Sequence, residues 1–105
     1  MDMLLTTTEQ VMGREYDILG LVKGATIQSK NIGRDFGAGL KSIVGGELTG
    51  YTEMMEEARD IAMQRMEEEA RRLGADGIVG IRFSTSAIMQ GAAEVMAYGT
   101  AVKFK

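Results

Sequence analysis

The chain lacks both cysteine and histidine over its 105 residues. Without cysteine it cannot form disulfides, thiolate nucleophiles or thiolate metal sites, and zinc or copper sites ordinarily draw on one of the two missing residue types. No serine stands in a nucleophile motif. The sequence therefore assigns no catalytic residue and no cofactor, and it predicts that the protein has no specific heavy-metal site.

Proline and long apolar runs are missing as well. Because there is no proline, the 14 glycines must supply the turns. No apolar run approaches the roughly 20 residues of a membrane-spanning helix. The second residue is the acidic Asp2, whereas a secretory signal has basic residues near its start. The formal net charge of −3 argues against nucleic acid, which favours a basic face. We expect a cytoplasmic protein that binds neither nucleic acid nor a membrane.

What the chain does contain is typical of a globular protein. Hydrophobic residues make up 45% and charged residues 26%, which predicts one folded domain over residues 1–105. A chain of this length buries only about two-thirds of its unfolded surface, so its core is thin. Association with further copies of itself would stabilise such a fold.

The pattern of apolar and turn residues predicts four strands and two helices. In chain order these are strands at residues 3–7 and 16–28, a short helix at 32–44, a long helix at 52–73, and strands at 77–87 and 95–104. The last two strands are joined through Gly91 and should form a hairpin. This order indicates an α+β, two-layer subunit in which one long and one short helix cover an antiparallel sheet.

Glycine is concentrated between Asn31 and Tyr51, a stretch that holds six of the 14 glycines together with the adjacent Arg34 and Asp35. Such clusters mark backbone that turns tightly or approaches something closely. The run GRDFGAGLKS within it departs from a phosphate-binding loop, because Leu40 separates the glycine from the lysine that this motif requires next to it. The segment is therefore either a binding site or a packing joint.

The long helix carries an apolar stripe at three- and four-residue steps, which should face the sheet: Met55, Ala58, Ala62, Met66, Ala70 and Leu73. Methionine at this spacing is typical of core packing. Arg59 falls inside the stripe, so it either extends its charge to solvent or forms a buried or half-buried ion pair, for which Asp35 is the candidate partner. Met54 and Ile61 lie on another flank, which we predict to contact a neighbouring subunit.

Several motifs, in the right order, resemble one family. The runs NIGRDFGAGLKSIVGG, EARDIAMQRMEEEARRLGADGIVGI and AYGTAV, with Tyr51 between the first two, resemble the YbjQ-like family from Thr6 to Val102. Its members are small bacterial and archaeal proteins of unknown activity, often labelled "putative heavy-metal-binding" domains. The resemblance implies an α+β subunit that assembles into a ring, a homopentamer. Members often carry acidic residues on the strand after the Gly-Ala-Asp turn, where this chain has Arg82 and Ser84.

The motif residues of the family fall on three groups of positions in this chain: Asn31, Ile32, Arg34 and Asp35; Gly45, Gly46 and Tyr51; and Glu57, Ala58 and Arg59. Four of these polar and aromatic positions are the ligand-binding residues that the resemblance and the glycine-rich segment together suggest: Asn31, Arg34, Asp35 and Tyr51. We expect any ligand to be a small molecule held between subunits.

Three classes of function remain open. The first, which we favour, is a non-enzymatic homo-oligomeric module whose partner is the chain itself and which holds a small ligand at subunit interfaces. The second is a metal-binding protein, which would have to use methionine sulfur, carboxylate and carbonyl oxygen. The third is an enzyme that acts on an anionic substrate near Arg34.

Overall fold

The structure, a computed structural model, describes residues 2–29, 43–44 and 47–105. Within these ranges the chain forms an α+β fold with six strands and one helix. In order they are β1 (Leu4–Leu5), β2 (Tyr16–Ser29), β3 (Ile43–Val44), β4 (Glu47–Leu48), α1 (Thr49–Arg72), β5 (Gly77–Met89) and β6 (Ala92–Phe104). In the described part of the chain, no helix combines the length and the apolar character that crossing a membrane requires.

Four strands form the main sheet in the order β1-β5-β6-β2. The last two strands of the chain, β5 and β6, form the expected hairpin, and Gly91 turns between them with a φ of 81°. β2 runs antiparallel to β6 along its full length, from the pair Tyr16–Phe104 to the pair Ser29–Ala92. Three long antiparallel strands therefore make up most of the sheet.

The first strand makes the sheet mixed, so the prediction of a purely antiparallel sheet is wrong. β1 lies parallel to β5, with Leu4 opposite Gly77 and Leu5 opposite Ile78. Leu4 N–H donates to the carbonyl of Asp76, and Thr6 N–H donates to the carbonyl of Ile78, each at 3.1 Å. β1 and β2 lie at opposite edges of the sheet, so the connection between them runs from one edge to the other. This crossover lets β1 enter the ladder beside β5 in the parallel direction.

Two irregularities interrupt the ladder at one level of the sheet. The register of β2 against β6 shifts between Ile18 and Gly20, and that of β5 against β6 shifts between Val79 and Arg82. Gly20 has a φ of 143° and Gly80 a φ of 64°, backbone angles that residues with a Cβ rarely adopt. Such bulges bend a strand and increase its local twist.

The helix packs on one face of the sheet, mainly over β2 and β6. The core beneath it contains Val22, Ile78, Ile81, Val95, Ala97 and Ala101 from the strands and Ala58, Ala62, Met66 and Ala70 from α1. The contact is close because small residues meet: a Cβ added to Gly24 would lie 2.3 Å from the carbonyl oxygen of Ala62 and from the nitrogen of Met66. The predicted stripe is therefore buried from Ala58 to Ala70, whereas Leu73 at its end is 47% exposed.

The prediction of a short helix at residues 32–44 is wrong for the part that the structure describes. Ile43–Val44 is a strand, and it pairs antiparallel with Glu47–Leu48. Isoleucine and valine are β-branched residues that favour strands over helices. The rest of that predicted helix lies outside the described residues. The long helix begins at Thr49, earlier than predicted, and ends at Arg72.

Candidate functional site

The sheet has one face without a helix among the described residues, and we call it the open sheet face. Residues directly opposite each other in a ladder share a face. Gly24 and Ala97 face α1, so their neighbours face the other way. The open sheet face thus comprises Leu21, Lys23, Ala25 and Ile27 of β2, Glu94, Met96, Tyr98 and Thr100 of β6, and Arg82, Ser84 and Ser86 of β5.

Large apolar side chains on this face are accessible to solvent. Leu21 is 68% exposed and Ile27 is 62% exposed, whereas Met96 and Tyr98 between them are half-buried. A shallow cavity of about 400 Å³ opens here and is lined by Leu21, Lys23, Ser84, Met96 and Tyr98. Grouped apolar exposure of this kind marks an interaction surface more often than isolated apolar residues do.

The second half of β5, residues 82–89, is exposed on both of its faces. Every residue from Arg82 to Met89 is exposed, in contrast to the buried Gly77, Ile78 and Val79 at the start of the strand. β1 pairs only with the beginning of β5. Phe83 lies on the sheet face that α1 covers over other strands, yet it is 46% exposed. This half-strand extends the accessible apolar surface from the open sheet face to the hairpin end, where Met89 is 68% exposed.

Arg82 holds the N-terminal loop against β5. Its Nη1 donates to the carbonyl of Thr7 at 3.0 Å and to the carbonyl of Ile81 at 2.8 Å. The hydroxyls of Thr6 and Thr8 hydrogen-bond each other at 2.8 Å in the same loop. Arg82 stands on the strand where members of the resembled family are expected to carry acidic residues. A guanidinium donates to carbonyls and a carboxylate cannot, so this contact depends on the arginine.

Asp76 ties the start of β5 to the end of β6. One carboxylate oxygen accepts from the N–H of Phe104 at 3.0 Å, and the other accepts from Lys103 Nζ at 3.3 Å. The Phe104 N–H has the largest effect and lowers the pKa of the Asp76 carboxyl below its ordinary value. Desolvation raises this pKa by less, and Lys103 and Arg14 lower it further. A lowered pKa indicates a group that stays ionised, which suits a structural carboxylate rather than a general acid.

Metal ligands do not converge in the part of the chain that the structure describes. No three acidic side chains there are grouped so that they could hold a metal ion. Met54 and Met66 are 3% and 0% exposed, and Met55 and Met63 are partly buried against the core. Their position agrees with packing as the role of these methionines. The absence of a specific heavy-metal site in the whole protein stays a prediction.

Most of the predicted ligand-binding residues cannot be placed. Asn31, Arg34 and Asp35 lie outside the described residues. Tyr51 is half-buried in the first turn of α1. Whether these four residues meet at one site therefore stays a prediction.

Two expectations about the long helix stay predictions. Arg59 is exposed, and its predicted pair with Asp35 is not tested, because Asp35 lies outside the described residues. Met54 is 3% exposed within the subunit and Ile61 is half-buried. The predicted contact of this flank with a neighbouring subunit is not tested either.

Comparisons with known proteins agree on one family. The sequence model of a family described as "Putative heavy-metal-binding", the YbjQ-like family, matches residues 3–105. A UPF0145 protein of Clostridium novyi is 62% identical over 101 residues, which cover 96% of this chain and 98% of that protein. A UPF0145 protein of Thermotoga maritima is 57% identical over 104 residues, 98% of each chain.

A solved structure shares the fold. The crystal structure of a protein of unknown function of the DUF74 family from Pediococcus pentosaceus superposes with a TM-score of 0.66, at 20% sequence identity and with 98% of each chain covered. At this level of identity the likeness supports the fold alone.

Proposed function

We propose that this chain, which belongs to the YbjQ-like family of UPF0145 proteins, acts as one subunit of a homo-oligomer whose copies cover the open sheet face. The observation that carries the proposal is the exposure of Leu21 and Ile27 beside Met96 and Tyr98 on a face without a helix among the described residues. Moving one leucine-sized side chain from water into an interface contributes about 1.5–3 kcal/mol. The subunit therefore gains appreciably by association.

The number of subunits is proposed to be five, which is what the family resemblance implies. Five chains of 11.4 kDa form a particle of about 57 kDa. Light scattering coupled to gel filtration at micromolar concentration measures this mass directly. A monomer of 11.4 kDa would overturn the proposal of a homo-oligomer, and a different multiple would overturn only the count.

A charge on the open sheet face tests which surface the copies use. Leu21→Glu places a carboxylate on this face, and burying it in an interface would be costly. The expected result is dissociation to monomers that keep the far-ultraviolet spectrum of the parent. Met12→Glu is the matched control, because Met12 is 99% exposed on the loop before β2 and is not among the residues of this face. Equal assembly of both variants would show that the open sheet face is not the interface.

We further propose that the assembled subunits hold a small, non-nucleic-acid ligand in the cytoplasm, and that the module does so without catalysing a reaction. The cavity of about 400 Å³ on the open sheet face offers the ammonium of Lys23 and the phenol of Tyr98 between apolar side chains, and a second copy would close it. Native mass spectrometry of unfractionated material should show extra mass on the oligomer, and Leu21→Glu should remove it. Native and denatured masses that agree would contradict the ligand.

Metal binding is the second candidate, and the family's description is the reason to consider it. Soft and borderline metals favour thiolate and imidazole ligands, which this sequence lacks. Titration calorimetry with Cu⁺, Zn²⁺ and Cd²⁺ on tag-free protein is expected to show no saturable binding tighter than about micromolar, since only oxygen and thioether ligands are present. Tighter binding at one ion per subunit or one per ring would favour this candidate over the first.

A further inference from the structure

β2 is a long edge strand. Among the described strands it pairs only with β6, along 13 of its 14 residues, all but the bulged Leu19. In an antiparallel pair the backbone groups of alternate residues point to the partner strand, and those in between point away from it. The outward groups of an edge strand are a template on which another chain can add a strand, which leads to aggregation.

Two side chains of α1 reach the outward backbone groups in the middle of β2. Glu69 Oε1 accepts from the N–H of Lys23 at 3.4 Å. Arg65 Nη1 donates to the carbonyl oxygen of Ala25 at 2.6 Å. The acid therefore meets the backbone donor and the base meets the backbone acceptor, as charge-assisted hydrogen bonds require.

The spacing of the two contacts follows from the geometry of the elements. Residues 65 and 69 are four apart on a helix, a rise of about 6.0 Å. Residues 23 and 25 are two apart on a strand, about 6.6 Å. The helix runs antiparallel to the strand, since the earlier Arg65 meets the later Ala25. Gly24 between them lets the helix backbone approach closely enough for both side chains to reach the strand edge.

We propose that Arg65 and Glu69 form an edge guard, a pair of helix side chains that keeps β2 of one copy from adding to the sheet of another. The guard engages one N–H and one C=O at the centre of the exposed edge, so an incoming strand would have to displace the short Arg65 bond and the longer Glu69 contact to pair there. Its role is to prevent association through the strand edge, whatever the number of subunits in the normal assembly.

The guard is tested by removing both side chains together. Arg65→Ala with Glu69→Ala leaves the net charge unchanged. The matched control, Glu68→Ala with Arg71→Ala, removes the same two residue types from exposed positions of the same helix. At equal concentration, and at a temperature where circular dichroism shows all proteins folded, the guard variant should form thioflavin-positive, light-scattering aggregates faster than the parent and the control. Equal aggregation of both double variants would overturn the proposal.

A rescue experiment separates strand addition from simple loss of stability. Lys23→Pro in the guard variant removes the outward N–H and places a residue that edge strands tolerate but that blocks pairing. This third change should suppress the aggregation without restoring either side chain. Aggregation that continues unchanged would show that the strand edge is not the route.

Amide exchange provides a second measurement on native protein. Loss of one hydrogen bond should raise the exchange rate of the Lys23 N–H roughly five- to tenfold. Glu69→Met, which keeps the length of the side chain but removes its acceptor oxygens, gives the same test if the double variant does not fold. A Lys23 amide that exchanges at the same rate in the parent and in Glu69→Met would overturn the contact on which the guard depends.

Discussion

The two faces of the sheet differ in how their side chains are covered. Under α1 the larger core residues are interspersed with small ones, and Gly24 and Ala97 meet alanines of the helix, so that the backbones come close together. The open sheet face presents Leu21, Ile27, Met96 and Tyr98 instead. Small residues are needed where the partner is already in place at short distance, whereas large apolar residues left in solvent indicate a surface whose partner is another molecule.

The largest expected effect concerns the covered face. Met66 is fully buried between α1 and the sheet, so Met66→Ala leaves a cavity and should lower the free energy of unfolding by about 3 kcal/mol. Urea denaturation in a Leu21→Glu background, expected to be monomeric, measures the loss without a contribution from assembly. In the same background, Met96→Ala on the open sheet face is the comparison and should cost the subunit less, since Met96 is only half-buried. Equal losses would break the distinction between the two faces.

Adding one methyl group should also destabilise the covered face. In Gly24→Ala the new Cβ would lie 2.3 Å from backbone atoms of Ala62 and Met66, and the helix must shift to make room. Overpacking of this kind costs about 2–3 kcal/mol. Gly50→Ala, where a Cβ meets nothing within 4 Å, is the control and should be neutral or stabilising by up to about 1 kcal/mol. A neutral Gly24→Ala would show that the helix does not rest on β2.

Polar substitution should separate subunit stability from assembly on the open sheet face. In a Leu21→Glu background, expected to be monomeric, Ile27→Thr should change the free energy of unfolding by less than about 0.5 kcal/mol, because the side chain is largely exposed. In the parent, the same substitution should weaken association, measured by sedimentation velocity on dilution. A large loss of stability in the monomer would mean that Ile27 belongs to the core.

The smallest effect is expected at Asp76, and it depends on pH. The pKa of Asp76 is lowered in the folded chain, so its carboxylate stabilises the fold when the pH is above the unfolded pKa of about 3.8. This contribution is lost as the pH falls through the folded pKa. Asp76→Asn should therefore flatten the acid side of the stability profile. Asp17→Asn, which removes an exposed ion pair with Lys105 at 3.6 Å, is the control and should change the profile less. Identical profiles for Asp76→Asn and the parent would contradict this assignment.

The sequence predicted the long helix, the hairpin and the family because each rests on a pattern within a short stretch. The alternation in β6 and the glycine stop after α1 are local signals. The parallel pairing of β1 was missed because a two-residue strand carries no direction in its sequence. The prediction for Ile43–Val44 is wrong because it extends the short helix through both residues, whereas their β-branched side chains favour a strand.

The candidate site was harder to predict, and for a different reason. The open sheet face joins Leu21 to Ser84 and Met96, residues far apart in the chain that only the strand order brings together. One signal was available: β6 is apolar on both faces, with Val95 and Met96 side by side, as a strand covered from two sides would be. The edge contacts of Arg65 and Glu69 carry no sequence signal, because two charged residues on a helix are ordinarily solvated.

The two bulges at Gly20 and Gly80 affect the shape of the main sheet. They sit on the two strands that flank β6, at the same height, beside Thr100 and Ala101. Toward the hairpin from these bulges lies the part of the sheet on which α1 rests, with Ile27 and Met96 on its other face. Two glycine dihedral angles therefore set the angle between this α1-covered part and the opposite end of the sheet, and a substitution at either glycine would change that angle.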